Sequence, residues 1–531
     1  MAAPTVPAAQ TPSAGEHPAT AAAQLFPPFP SSGWRGWAGP VGATVIGGLL
    51  RFVHLGRPDA FAFDEVYYAK DALALLRYGH EQQFDDSANE LILASDGNWR
   101  TIEVFKDDPA FVVHPPFGKW VIAGGEWLFG VTPFGWRFAV AVLGTLSILM
   151  AARIARRLTR SDLVGTVTGL LVALDGMHLV TSRTAVLDMV LSFTVLAGFG
   201  FLLLDRDQVR RRLVTHPPPP DALGASSLDA WGPALGARPW RWAAGLALGL
   251  ACAVKWSGLW YLAAFGLLTV VWDVSLRRRI GVARPWTVSL LRSAPIAFVA
   301  MVGTAAVAYI LSWSGWLLTA GGWGRQWADD SASPVPAALR SLWNYHAQAW
   351  NFHVGLTGDH SYQSNPLSWF LQTRPTSFYW SSLENGEAGC TADSCAAEVL
   401  ALGNPVIWWI GSVALLYLVW RWITRRDWRA GAVLLAVLAG WVPWLLYLDR
   451  TIFSFYSVVF LPYLAMALAM MIGALVGPPD AARQRRRTGI LVATAILVLV
   501  VVAAWWFYPI WTGEVIPYAQ WTWRMWMPTW V

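Results

Sequence analysis

Apolar runs separated by short polar stretches recur along most of the chain. Many approach the ~20 residues a helix needs to cross about 30 Å of hydrocarbon. The pattern predicts spanning helices at 38–55, 134–153, 163–180, 186–204, 241–254, 257–273, 293–313, 404–421, 431–447, 455–475 and 489–508. The fifth and sixth are short and flank a break at Lys255-Trp256. This makes eleven spans, with no internal repeat or inverted symmetry. The fold class expected is therefore an all-α polytopic membrane protein.

The arginines give those spans a direction, because basic loops stay in the cytoplasm. Arg153, Arg156, Arg157 and Arg160 follow the second span; Arg206, Arg210, Arg211 and Arg212 follow the fourth. Arg277, Arg278 and Arg279 follow the sixth, Arg425, Arg426 and Arg429 the eighth, and Arg483, Arg485, Arg486 and Arg487 the tenth. Every second loop is basic, so the pattern predicts a cytoplasmic N-terminus and an extracytoplasmic C-terminus. Residues 1–32, rich in Ala, Pro, Thr and Ser, read as a disordered tail that lacks the features of a cleaved signal. The remaining 33–531 read as one membrane domain. Two long loops, 56–133 and 314–403, fall on the outer face, and the cytoplasmic stretch 205–240, with prolines at 217–220, reads as a linker.

Composition agrees with lipid exposure. The chain is 55% hydrophobic and only 14% charged. That is too little charge to cover a water-exposed surface of this size. Its 35 tryptophans suit the membrane interface, where ring and N–H both find partners. The net charge of +6 is dispersed in loop clusters, which argues against a nucleic-acid groove. Cys252 lies in an apolar run and reads as a packed thiol. Cys390 and Cys395 share a polar loop, where a disulfide is open if the loop faces an oxidising compartment.

Chemistry is expected in the outer loops. Asp64 and Glu65 form an acidic pair just past the first span, flanked by Phe61, Phe63, Tyr67 and Tyr68. Such a pair is a candidate general-base site beside an aromatic surface for a sugar; equally, it could complement the dipole of a helix at 66–78. His114 and Lys119, in HPPFGK, could hold an anionic head group, or simply open an interfacial helix at 117–129. Arg51, Arg137, Asp175, Arg183 and Asp188 lie in or beside spans, where charge is costly unless paired. Arg183 could pair with Asp188, or Arg137 and Arg183 could grip phosphate; Asp175 and Asp188 read as structural charges. His346, His353 and His360 are spaced by seven, which would put the first two on one helical face before Gly355 and Gly358 break it. They read as a polar, aromatic acceptor surface in preference to a metal site.

Five stretches together resemble one family. They are RFVHLGRPDAFAFDEVYYAKDA (51–72), HPPFGKWVIAGGEWLFG (114–130), the start of the second span with Arg137, LDGMHLVTSRTAVLDMVL (174–191) and YHAQAWNFHVGLTGDHSYQSNPLSWFLQTRPTSFYW (345–380). The chain resembles the protein O-mannosyltransferases, dolichyl- or polyprenyl-phosphate-mannose-dependent enzymes of the C-type glycosyltransferase superfold. The resemblance implies inverting transfer of mannose to Ser or Thr hydroxyls of exported proteins. It implies Asp64 and Glu65 as catalytic carboxylates and Arg137, His114, Lys119 and Arg183 on the donor side. Tyr67, Tyr68, the three histidines and Arg374 are expected at the acceptor or sugar surface. The implied partners are a polyprenyl-phosphate-mannose lipid, exported Ser/Thr proteins and, as a candidate, the secretion translocon. No cofactor is implied, and the need for a divalent ion stays open. About ninety residues in the second loop leave no room for the β-trefoil domain of eukaryotic relatives. Two other functions remain to be separated: a related transferase acting on a lipid or glycan, and a lipid-linked sugar transporter.

Overall fold

In a computed structural model of the protein, residues 25–31, 33–216, 232–330 and 332–531 are described. All eleven predicted runs are helical. The first is α1 (Arg35–Phe52), followed by the two longer helices of the first long loop, α2 (Glu65–Tyr78) and α3 (Phe117–Phe129). Next come α4 (Pro133–Thr159), α5 (Asp162–Ala173), α6 (Gly176–Arg183), α7 (Leu187–Thr215), α8 (Pro239–Cys252), α9 (Gly258–Arg279) and α10 (Pro285–Ser312). The second long loop holds α11 (Ala337–Gly355). Four long helices follow: α12 (Pro405–Arg425), α13 (Trp428–Trp441), α14 (Leu461–Val476) and α15 (Arg483–Thr512).

Among the described residues, seven helices are long and apolar enough to cross a membrane: α4, α7, α9, α10, α12, α13 with its continuation to Leu446, and α15. The chain is a multi-pass membrane protein. The run predicted as a single span at 163–180 is instead broken, with α5 and α6 bent by 59°. Asp175 causes the break by capping α6 from outside it, accepting from His178 N at 3.0 Å. Arg51 takes the carbonyls that α5 leaves at the bend, donating to Ala173 O at 3.2 Å and Val172 O at 3.3 Å. Such carbonyls lack a partner within their own helix.

The fold is not purely helical. In the first loop β1 (Gln82–Phe84) pairs with β2 (Phe105–Pro109). In the second, β3 (Thr376–Glu384) and β4 (Ser394–Ala401) form an antiparallel hairpin, and β5 (Val515–Pro517) from beyond α15 joins the edge of β4. Cys390 and Cys395 are disulfide-bonded at the hairpin tip. The linker reading of 205–240 also needs correction, because helices enter it from both sides. Asp205 and Asp207 near the end of α7 are held by Arg238 and by Arg157 and Arg160. Its proline run lies outside the described residues, as do residues 1–24 and 32 of the predicted tail. Within the described part of that tail, Phe29 packs 4.1 Å beneath the Arg160 guanidinium.

The two long loops meet at one end of the bundle. Tyr345 on α11 donates its hydroxyl to Val112 O at 2.8 Å and accepts from Val112 N at 3.0 Å. His353 Nε2 lies 3.0 Å from Val113 O. The basic ends of α4, α7 and α9 gather at the opposite end, around Asp205, Asp207 and Asp273.

Candidate active site

The acidic pair is split by the backbone. Phe63 takes a left-handed φ of +51°. That conformation costs a non-glycine residue about 1–2 kcal/mol. Aromatic packing holds it there: its ring stacks on Phe378 at 4.8 Å and meets Phe453 and Phe455 edge-on at 5.7 and 5.6 Å. The turn sends Asp64 and Glu65 into different surroundings.

Glu65 is fully buried and its carboxylate is saturated. It accepts from Arg137 Nε at 2.8 Å and Nη2 at 2.7 Å, and from the backbone N–H of Ala62 and Ala185 at 2.8 Å each. Arg137 directs its other donors to the carbonyls of Leu55, Pro58 and Ala60. All five guanidinium N–H groups are thereby engaged. This clamp ties α4, the start of α2 and the α6–α7 turn together.

Asp64 precedes α2 at the N-cap position, yet its side chain does not cap the helix. It pairs instead with the Tyr68 side chain and lies in the field of Lys255 and Asp188. Burial pushes its carboxyl up to about 6, against the opposing pull of Lys255. Lys255 Nζ donates to Asp188 Oδ2 at 2.7 Å and sits 5.1 Å from the Tyr456 ring.

Beside this cluster opens a cavity of about 1390 Å³. Its far walls are apolar, from residues such as Leu259 and Leu267 on α9 and Phe298, Val302 and Ala305 on α10. The near end is polar: His114, Asp188, Lys255, His353, Arg450 and Tyr456 line it. The His114 and His353 rings lie 5.2 Å apart. Burial, reinforced by neighbouring cations, holds His114 well below the usual histidine range and pushes His353 down to about 4. Both are therefore neutral at physiological pH, leaving Lys255 and Arg450 as the cations of this end. Arg450 donates from Nε to His353 O at 3.0 Å. One apolar channel ending in two cations beside a raised-pKa carboxylate can seat an amphipathic anion and take a proton next to its head.

Comparison with known proteins places the chain in a family. The family model described as dolichyl-phosphate-mannose-protein mannosyltransferase matches residues 41–213, and the C-terminal four TMM region of protein-O-mannosyltransferase matches 338–530. A polyprenol-phosphate-mannose–protein mannosyltransferase of Mycolicibacterium smegmatis is 38% identical over 540 residues, covering 98% of each chain. The Mycobacterium tuberculosis protein of the same name is 37% identical, covering 93% of this chain and 92% of its own. The chain belongs to the polyprenol-phosphate-mannose–protein mannosyltransferases. Its fold is also that of the S. cerevisiae protein O-mannosyltransferase Pmt1-Pmt2 complex bound to the sugar donor. There the TM-score is 0.70 at 14% identity, covering 97% of this chain and 94% of that one.

Within this protein mannosyltransferase, several expected residues converge. Asp64 pairs with Tyr68, whose ring lies 6.3 Å from that of His114, and His114 in turn neighbours His353. His114, His346 and His353 line the cavity, the last two from one face of α11 as their spacing predicts. Others have different tasks. Arg137 has no donor left for a phosphate. Arg183 caps the C-terminal end of α1, donating to the carbonyls of Arg51, Val53 and His54 at 2.7–2.8 Å, and makes no pair with Asp188. Lys119 is buried against Glu81, with Asp71 3.9 Å away. Arg374 binds the carbonyls of Ser361, Thr529 and Val531, fastening the C-terminal segment to the second loop. Tyr67 is exposed, and His360 packs against Phe453, 4.9 Å away. Asp175 accepts from Asn404 N and Trp408 Nε1. Asp188 is not merely structural, since it anchors Lys255 in the cavity wall.

Sequence reading missed Lys255, Arg450 and Tyr456. Two signals were present. Lys255 is a lone cation between two apolar runs, where it must be paired or wet. Arg450 stands in the short loop between the ninth and tenth apolar runs, apart from the clustered arginines of the basic loops.

Proposed function

We propose that this chain transfers mannose from polyprenyl-phosphate-mannose to Ser or Thr hydroxyls of polypeptides, with inversion at the anomeric carbon. The observation that carries the reading is the Asp64 carboxylate, its pKa raised by burial, in the field of Lys255 at the two-cation end of a long apolar cavity. The apolar walls suit an isoprenoid chain. Lys255 and Arg450 lie where its phosphate would come to rest, with neutral His114 and His353 as further hydrogen-bonding groups. Asp64 accepts the proton of the acceptor hydroxyl as its oxygen bonds to the anomeric carbon. The bond from that carbon to the phosphate oxygen breaks, and polyprenyl phosphate leaves with the electron pair. Fixed cations stabilise the charge that gathers on the leaving group. Glu65 and Arg137 support the site by holding the loop that carries Asp64.

In this reading all eleven runs cross or enter the membrane, and both long loops with the site face outward. The alternating arginine loops support that orientation.

The test combines purified protein, polyprenyl-phosphate-mannose and a Ser/Thr peptide. Mass spectrometry should find hexose on the hydroxyl residue, removable by an α-mannosidase, and none on the Ala-substituted peptide. Sugar appearing only on lipid or glycan acceptors, or a β-linked product, would contradict the proposal.

A further inference from the structure

The charge count at the basic end of the bundle does not balance. Asp207 is shared by Arg157 at 2.7 Å, Arg160 at 2.9 Å and, more distantly, Arg206 at 3.9 Å. Asp205 and Asp273 are both taken by Arg238 and Arg241. Arg210 is only 3% exposed, yet among the described residues it forms no ion pair with a carboxylate. Its one hydrogen bond there is a long one, 3.4 Å to Leu25 O. The Nε groups of Arg206 and Arg210 are both buried without a partner. Arg279 adds its positive field to that of Arg210, and Asp207, already shared by Arg157, Arg160 and Arg206, offsets it only in part. A buried guanidinium whose attracting carboxylate is already shared by three other arginines keeps charge unmatched, and its fork of donors matches a phosphate.

The geometry also offers a place for the missing charge. Arg206, Arg210 and Arg238 line a notch between α7 and α9, together with Thr269, Trp272 and Asp273. The Arg206 guanidinium lies over Trp428, 3.4 Å from its ring centroid. The notch has a volume of about 10 Å³, enough for roughly one water-sized group. A single anionic oxygen could therefore enter while the rest of the ligand stays outside. Basic pockets between helices at the membrane surface take phosphate head groups by this chemistry, and tryptophan belongs at the same depth.

We propose that this notch is a binding site for a phosphate-bearing anion, seated on Arg206 and Arg210 at the end of the bundle opposite Asp64. The proposal is independent of the transfer reaction.

The test uses full-length protein in non-ionic detergent micelles, doped at equal mole fraction with phosphatidylglycerol or phosphatidylcholine, or supplied with inorganic phosphate. Native mass spectrometry and thermal unfolding read the outcome. For a lipid source, phosphatidylglycerol should be retained about tenfold over phosphatidylcholine, and Arg210→Gln should erase the preference. For free phosphate, the inorganic ion alone should raise the unfolding temperature in wild type and not in Arg210→Gln. Arg210→Gln should fold, because it removes a buried charge that forms no direct ion pair among the described residues. Arg210→Lys provides a second variant, which should keep part of the preference. Equal retention of both lipids with no response to phosphate would overturn the proposal, as would a preference that survives Arg210→Gln.

Discussion

Adjacent residues Asp64 and Glu65 open onto two regions that use the same charges differently. Around Glu65 every acceptor and donor is matched: four N–H groups on the carboxylate and five engaged donors on Arg137. Around Asp64 the matching is incomplete. Lys255 keeps one carboxylate partner at 2.7 Å, Arg450 reaches a backbone carbonyl and a ring nitrogen, and the cavity lies open beside them. A saturated ion pair holds a fold together, whereas cations with donors to spare can receive an anion. The acidic pair is thus one scaffold residue and one residue free for chemistry.

Substitutions can sharpen that contrast. Asp64→Asn should lower kcat by about 10² to 10⁴ with little change in unfolding temperature, as expected for loss of a general base. Lys255→Met should cost transfer about 10² to 10³, because it removes a fixed charge from the leaving phosphate. Its partner Asp188→Asn should act in the same direction more weakly; steady-state kinetics with a peptide acceptor measures both. On the other side, Arg137→Met should destabilise the protein by about 3–5 kcal/mol by stranding the buried Glu65 charge. Chemical unfolding of the detergent-solubilised protein checks this, and an unfolding midpoint equal to wild type would erase the distinction between the two regions. The smallest effect is at Phe63. Phe63→Gly relieves the left-handed φ but removes the stacked ring, so stability should change by only about 1–2 kcal/mol while Asp64 loses its fixed direction and kcat falls.

Much of this was legible in the sequence because hydrophobic periodicity and loop charge are local signals. All eleven apolar runs are helical, and the two long loops carry several of the site residues. His346 and His353 share a face because a spacing of seven is nearly two helical turns. The roles of Arg137, Lys119 and Arg183 were not legible, since a charge near a membrane reads alike whether it binds a ligand or a backbone carbonyl. Only the three-dimensional partners separate these cases: Glu65 for Arg137, Glu81 for Lys119, the end of α1 for Arg183. Lys255 and Arg450 are far apart in sequence and converge through the packing of α9, α11 and α13, which no local pattern encodes. The bend at Asp175 was hidden because hydropathy does not register a cap within an apolar run.

The most direct test is the pH dependence of kcat at saturating donor and acceptor. Asp64 must be ionised to accept a proton, and its burial-raised pKa is about 6. The rate should therefore climb about tenfold per pH unit below that pKa and level off above it. Asp71, pushed by burial to about 7, supplies the control: the limb should persist in Asp71→Asn and disappear in Asp64→Asn, leaving a low, flat rate. A wild-type profile that is flat from pH 4.5 to 7.5, or a limb retained in Asp64→Asn, would contradict the account.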